Sequence, residues 1–479
     1  MAGNWTGAVG STTGMRGALS DQAIGVLAET FRGNLIRPGD AEYDAARRIW
    51  NGMIDRRPAL IARCAGPADV MDGVRFARQH GLPLAVRSGG HNVAGTALCD
   101  DGIVLDLSGM RGVRVDPIRR TVRVQAGVTN GDLDRETQAF GLAVTSGIAS
   151  TTGLAGLTLG GGVGWLMRRF GLTCDNLLSA DLVTAEGQLI TVSPDTYDDL
   201  FWAIRGGGGN FGVVTEFEYR LHPLGPNVVA GLVLHPAKHA RDALRFYRDF
   251  VREAPDALGA IVNLRHAPPA PWIPAELHGA PVIAMTVCYA GPVDEALVEL
   301  APLKRFGSPL VDTIERTRYL SHQRLFDPTV PSGWRYYWKS HYLHELSDQV
   351  IDVLVTHAWR DTSPLSYTLI PLMGGAVSRV APDATAFVGR DGAHLININA
   401  VWTDPTEDDE HIAWAREFFA ATEPFSTGGV YVNFLGNEGE ARVRAAYGAN
   451  YARLAEIKRR YDPENVFRFN QNIAPAGTT

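Results

Sequence analysis

Two glycine-rich segments carry the residues whose types and spacing suit chemistry. The first is Pro83-Leu-Ala-Val-Arg87-Ser88-Gly89-Gly90-His91-Asn92-Val-Ala-Gly95, where a short apolar run empties into small residues around one histidine. Successive backbone N–H groups in such a turn form a concavity for an anion, and the missing side chains let a pyrophosphate approach. The second covers residues 146–165, Ser-Gly-Ile-Ala-Ser-Thr-Thr-Gly-Leu-Ala-Gly-Leu-Thr-Leu-Gly-Gly-Gly-Val-Gly-Trp, followed by Gly171-Leu-Thr-Cys-Asp-Asn176. Glycines at 147, 153, 156, 160, 161, 162 and 164 leave a long strip of backbone bare, as a flat ligand laid along it requires. A tight turn or a close helix contact is the better explanation of any one of them taken alone; their concentration singles the region out. The 479 residues include 52 glycines, about 11% against a typical ~7%, and 24 of them lie between Gly81 and Gly212.

Two other patterns are rejected by their surroundings. Gly207-x-Gly209-x-x-Gly212 has the spacing of a dinucleotide site, which needs a preceding strand and a following helix whose N-terminus holds the pyrophosphate. Here the order is reversed: residues 201–205 read as helix and 213–220 as strand, so these glycines read as turns. His341, His344 and Glu345 have the order H-x-x-H-E rather than the H-E-x-x-H of zinc peptidases. Their segment reads as extended, which sends the two histidines to opposite faces, and no metal is expected. Neither G-x-x-x-x-G-K-[ST] nor G-x-S-x-G occurs.

The elements that must position the glycines alternate helix and strand from about residue 21 to 221. Residues 67–80 place Val70, Val74 and Ala77 on one helical face, stopped by Gly81; residues 82–87 are the strand feeding the first glycine turn. Strands are expected at 103–107 and 121–126, a helix at 131–140, and a hairpin at 181–192 around Glu186-Gly187. From 225 to about 424 the chain is richer in proline and aromatic residues, with Trp334, Tyr336, Tyr337 and Trp338 in one segment. It reads as a second domain whose sheet presents an aromatic face. Residues 438–460 read as one helix with Val443, Tyr447, Leu454 and Ile457 at helical spacing.

A net charge of −7 with no basic run leaves no footprint for nucleic acid or anionic lipid, and 45% hydrophobic residues suit a globular protein with more than one core. Cys64, Cys99, Cys174 and Cys288 are scattered, as reduced buried thiols are. The first residues, MAGNWTGAVGSTTGMRG, lack the charged start and apolar core of a signal peptide, so a cytoplasmic location is expected.

Taken together, these segments resemble the FAD-linked oxidoreductases of the berberine-bridge-enzyme-like group, in the vanillyl-alcohol-oxidase (PCMH-type) superfamily. The likeness runs from about 67 to 221. It returns at Tyr431-Val-Asn433-Phe434 and at residues 461–473, Tyr-Asp-Pro-Glu-Asn-Val-Phe-Arg-Phe-Asn-Gln-Asn-Ile. The resemblance implies an α+β fold: a PCMH-type FAD-binding domain of two α/β subdomains (1–222), a substrate-binding domain with an antiparallel sheet covered by helices (223–424), and a C-terminal segment returning to the first domain (425–479). It implies FAD as cofactor, linked covalently by His91 through the 8α-methyl carbon. Its other implied contacts are Arg87, Ser88, Gly89, Gly90, Asn92 and Gly127, then Gly147, Thr151, Gly153, Gly156, Gly161, Gly162 and Asn176, and finally Asn433, Asn470 and Asn472. Many members add a second bond from a cysteine in G-x-C-x-T. Here that stretch reads Gly147-Ile-Ala149-Ser-Thr151, so one link is expected, with Cys174 too far along to replace the missing sulfur.

Such enzymes pass a hydride from a substrate C–H to flavin N5 while a base takes the adjoining proton. Plant members use a glutamate on a strand before a proline-histidine-arginine segment. The corresponding strand here reads 374–379, ending in Arg379, which is cationic and no base, and the later segment is Phe387-Val-Gly389-Arg390. Bacterial members use tyrosines, which makes Tyr431 the first candidate base and Tyr337 the second. Thr152 stands where the family gates oxygen. The implied enzyme is an oxidase of an alcohol, sugar hydroxyl or amine in a small molecule, with O2 as acceptor and a monomeric or homodimeric state. Oxidative ring closure, or a dehydrogenase with another acceptor, is the alternative.

Overall fold

The computed structural model describes residues 19–360, 363–391 and 394–477; the first residues, on which the leader reading rests, lie outside them. Two sheets form before residue 221. One has parallel strands Leu60–Arg63, Ile103–Asp106 and Leu84–Arg87, with Asn34–Ile36 antiparallel at its edge. The other is antiparallel, in the order Val113–Asp116, Thr121–Gln125, Val213–Arg220, Leu177–Val183, Leu189–Val192. Helix Pro67–Gln79 packs against both, burying Val70, Val74 and Ala77, the face its periodicity predicts. Its buried Asp69 accepts the N–H groups of Arg32, Gly33 and Ala65 at 2.9, 3.1 and 2.7 Å, tying the N-terminal strand to the helix start. The helix expected at 131–140 spans Asn130–Gln138, started by a capping box between Thr129 and Asp132.

A third, antiparallel sheet of eight strands follows. Its long members run Asn227–Pro236, Pro281–Tyr289, Leu258–His266, Tyr367–Pro371, His394–Trp402, Arg335–Leu343 in spatial order. Helices Ala240–Arg252, Asp348–His357 and Asp408–Thr422 cover one face, over Val262, Leu264, Ile396 and Ile398. The other face carries Ile261, Tyr336, Tyr367 and Leu369, which cluster with Trp50 and Trp165 from the first 222 residues. A strand buried on both faces still alternates, but between two interiors.

Two expected elements differ. The helix predicted over 438–460 is two, Glu440–Tyr447 and Tyr451–Tyr461, because Gly448 adopts φ +48 and breaks the ladder. The strand predicted over 374–379 is a helical turn, Ala376–Arg379: Gly374 (φ +94) and Gly375 (φ +61) swing the chain out of the sheet after Pro371. Arg379 ends at the surface, 2.5 Å from Asp256. The C-terminal segment packs Val432, Leu435, Leu454, Phe467 and Ile473 into the core of the first two sheets. Its return is held by the fully buried pair Lys458–Asp462 at 2.6 Å, whose ammonium also donates to the Asn210 and Phe467 carbonyls.

Burial keeps several histidines neutral. It lowers His91, His222, His341 and His394 to about 4 and His322 to about 3, with Arg220 and Arg169 adding to the effect at His222 and Arg168 at His394. Their unfolded values lie near ~6.5, so between about 6.5 and 4 the unfolded chain binds more protons, and the folded state loses stability as pH falls through that window. The melting temperature is expected to drop across it, and His322→Phe to make the drop shallower. A flat profile from pH 7 to 4.5 contradicts this.

Candidate functional site

Strand Leu84–Arg87 delivers the first glycine turn against the second. Ser88 Oγ donates to the Ala126 carbonyl at 2.5 Å. A Cβ on Gly89 would sit 2.6 Å from the Gly153 backbone, and one on Gly153 2.6 Å from Gly89, so the two turns touch and neither tolerates a side chain. Gly90 turns at φ +63 and presents His91. The imidazole stacks on Trp50 (centroids 4.3 Å, 17°), which stacks in turn on Tyr336 (3.7 Å, 21°). His91 Nε2 is buried without a hydrogen-bond partner among the described residues.

These turns open onto a cavity of about 290 Å³. Ser88, Gly89, Gly90, His91 and Asn92 form one wall; Gly147, Ala149, Thr152, Gly153 and Gly156 form another. Asn433, Asn470, Gln471 and Tyr447 close the C-terminal side. Gly208, Gly209 and Gly212 line it too, so the loop read as simple turns faces the same space, although it joins helix Asp198–Ala203 to strand Val213–Arg220 in the reverse of the dinucleotide order. A Cβ at Gly156 or Gly209 would meet nothing within 4 Å. Bare backbone facing open space, with an orphaned imidazole nitrogen beside it, is a donor set that fits FAD: N–H groups and no crowding for the pyrophosphate, glycine and alanine for the ring.

Several sequence-named residues lie elsewhere. Arg87 turns back to pair with buried Asp106 and to donate to the Ala46 carbonyl, bracing the strand end. Gly127 is packed, a Cβ there falling 2.1 Å from the Leu107 carbonyl. Thr151 is exposed, and its neighbour Thr152 faces the cavity. The strip does not stay bare at Gly161 and Gly162, where Phe387 and Thr173 fill the side-chain positions. Asn176 is a brace: its amide donates to the Phe170 and Leu172 carbonyls, and its oxygen lies 2.6 Å from the His222 ring. Asn472 is off the wall, its Oδ1 buried without a partner. Cys174 is fully buried, its thiol pushed well up by burial, and is not on the wall, whereas Ala149 is.

The candidate bases separate cleanly. Tyr431 lies on the wall, fully buried, and its oxygen accepts N–H from Gly162 (3.1 Å), Val163 (3.2 Å) and the Asn433 amide (2.9 Å). Burial pushes the phenol up to about 12, and those donors pull against it. Tyr337 is a correction. On strand Arg335–Leu343 its neighbour Trp338 takes the cavity face, and Tyr337 points to the helix-covered side, accepting from Arg416 at 3.2 Å. Tyr337→Phe should change the rate of flavin reduction by less than about twofold; a loss comparable to that of Tyr431→Phe contradicts the placement.

The substrate-side wall went unnamed in the sequence: Asn263, Arg265, Tyr367, Asn397 and Asn399, beside Trp338. Tyr431, Tyr367 and Tyr447 all line the cavity; the Tyr447 hydroxyl is spent on the Gly207 and Gln471 carbonyls, which leaves Tyr367 as the second tyrosine on the substrate side. The available signal was the pattern Leu395-Ile-Asn397-Ile-Asn399-Ala, polar residues on alternate positions of a strand whose two faces are both covered. His341, by contrast, is buried against Phe419 (3.9 Å, stacked) and His344 is exposed.

Comparison with known proteins agrees with this geometry. Residues 58–193 match the FAD binding domain family and residues 430–474 the berberine and berberine-like family. The chain is 31% identical to an FAD-linked oxidoreductase of Dictyostelium discoideum, over 95% of this chain and 97% of that one. It is 34% identical to (R)-6-hydroxynicotine oxidase of Paenarthrobacter nicotinovorans, over 94% and 98%. The crystal structure of 6-hydroxy-D-nicotine oxidase from Arthrobacter nicotinovorans superposes with a TM-score of 0.84 at 33% identity, covering 92% of this chain and 98% of that one. Spanned almost end to end by such relatives, with both family segments on the walls of one cavity, the chain belongs to the berberine-bridge-enzyme-like FAD-linked oxidoreductases.

Proposed function

We propose that the protein is an oxidase that removes a hydride from the alcohol, sugar-hydroxyl or amine carbon of a small molecule, with O2 as electron acceptor and FAD held covalently through His91 alone. The observation that carries the reading is the single cavity in which the glycine turns, His91 and Tyr431 face a polar sheet wall. FAD bound there supplies the hydride acceptor. His91 is neutral and its Nε2 has no partner among the described residues, the state an imidazole needs to form a carbon–nitrogen bond. Ala149 offers no sulfur where a second link would form. The glycine walls position the ring; Trp338 and Tyr367 confine the substrate carbon. Tyr431 takes the substrate's O–H or N–H proton at its phenolic oxygen, where three N–H donors stabilise the phenolate. The 34% identical relative named as an oxidase supports O2 as acceptor, and Thr152 on the wall is consistent with it. A cytoplasmic location belongs to the same reading, in keeping with four free, buried cysteines.

Anaerobic mixing with alcohols, sugars and amines tests this. At least one class should bleach the bound flavin, and air should restore the colour within turnovers. Recovery only with an added dye would make the protein a dehydrogenase, and no bleaching by any class would remove the redox reading.

A further inference from the structure

A cation stands on the cavity wall with no anion among the described residues to meet it. Arg265, on strand Leu258–His266, is 8% exposed. Its side chain makes one hydrogen bond to the described protein, from Nε to the His266 carbonyl at 3.1 Å, and its guanidinium lies 5.6 Å from the Tyr367 ring centroid. No carboxylate among the described residues is within ion-pair distance. The other buried arginines are provided for: Arg87 by Asp106, Arg390 by Asp175 at 2.7 Å, Arg168 by the carbonyls of Met373 and Ala254. Burial lowers Arg265 to about 10, which leaves it charged at neutral pH. Desolvating a charge without a partner is unfavourable, so a guanidinium kept that way on a ligand cavity implies that the ligand brings the partner.

The register shows what surrounds that partner. Arg265 pairs with Tyr367, Tyr367 with Asn399, and Asn399 with Trp338, which makes one row across three strand pairs on the cavity face. The next row holds Asn263, Leu369 and Asn397. Side chains directly opposed in such rows stand about 5 Å apart. One end of the row is therefore cationic, its middle can hydrogen-bond, and its far end is an indole. Among the described residues of the cavity wall, Arg265 is the sole permanent cation and there is no carboxylate. One guanidinium fork matches one planar carboxylate, two parallel N–H···O bonds to two oxygens, and does not balance a dianion.

We propose that Arg265 anchors a carboxylate of the substrate, so that the enzyme acts on small monoanionic acids whose body lies along Tyr367, Asn399 and Trp338. This rests on the reading of the cavity as the substrate site.

The test titrates the holoenzyme with benzoate, phenylacetate and 3-phenylpropionate and with their primary amides, followed both by the visible spectrum of the flavin and by calorimetry. The best-fitting acid should bind at least about tenfold more tightly than its amide. Arg265→Met should abolish that preference with flavin content unchanged and raise the melting temperature, since an unpaired buried charge is gone. Arg265→Lys, which keeps the charge but not the fork, should retain part of the preference and covers the case in which the methionine variant does not fold. Equal affinity for acid and amide, no binding by any acid, or loss of flavin from Arg265→Met would each overturn the proposal, the last by assigning the guanidinium to the cofactor. Calorimetry does not depend on electron transfer, so a preference for acids survives even if no compound bleaches the flavin and the oxidase reading fails.

Discussion

Replacing Tyr431 by phenylalanine lowers the rate of anaerobic flavin reduction by about 10²-fold or more, the range expected for loss of a positioned base. The ring stays packed against Phe387 and Phe434, so the change is confined to one oxygen. Three N–H donors lose their acceptor, which costs stability of about 1–3 kcal/mol. Stability and rate are therefore separable: the protein still folds and still holds FAD, but reduction is slow. The wild-type pH profile carries a second signature. A base works deprotonated, and burial has pushed this phenol up to about 12, so the reduction rate should climb as pH rises through the neutral and alkaline range. Tyr431→Phe should lose that climb. An unchanged rate in the variant rejects Tyr431 and passes the role to Tyr367, which lines the same cavity.

Gly156→Leu makes the opposite separation and is expected to leave a better-folded protein with no flavin. Gly156 lies inside helix Leu154–Leu159, where glycine costs roughly 0.8–1 kcal/mol relative to good helix formers. A Cβ there touches nothing in the protein within 4 Å, so the fold has no reason to select glycine. The reason must be the ligand: a leucine would stand in the space the cofactor occupies. Purified variant should show a flavin-to-protein absorbance ratio near zero and a melting temperature at or above that of wild-type protein stripped of, or expressed without, FAD. A full complement of FAD in Gly156→Leu would move the cofactor off this wall. Gly89→Ala is the contrasting case, since its Cβ would collide with the Gly153 backbone and disturb the fold itself.

The cofactor side of the site was legible because its signal is local. Backbone that must approach a ligand requires glycine, and the glycines at 89, 90, 147, 153 and 156 fall within two short segments. The same rule overreached at Gly161 and Gly162, because a glycine needed to admit Phe387 or Thr173 looks identical to one needed to admit a flavin. Thr151 and Thr152 differ by one position, and the turn alone decides which faces inward. The substrate side was illegible for a different reason. On strand His394–Trp402 the alternation of Asn with Ile resembles that of an ordinary half-solvated strand; only the tertiary arrangement, with a second face covered by the flavin-binding half, turns Asn397 and Asn399 into cavity residues. Tyr337 failed by the same ambiguity: the strand was foreseen, but its phase is set by Tyr336 and Trp338, which both meet Trp50 and so turn Tyr337 to the opposite face. The helix break at Gly448 was missed because apolar spacing on either side runs in step across it.

Attachment of the flavin through His91 alone is tested by mass spectrometry of proteolytic fragments from the purified yellow protein. All the flavin mass is expected on one peptide, the one containing His91, with the peptides holding Ala149 and Cys174 unmodified. A flavin-bearing peptide without His91, or release of all the FAD into the supernatant on acid precipitation, would contradict attachment through His91 alone.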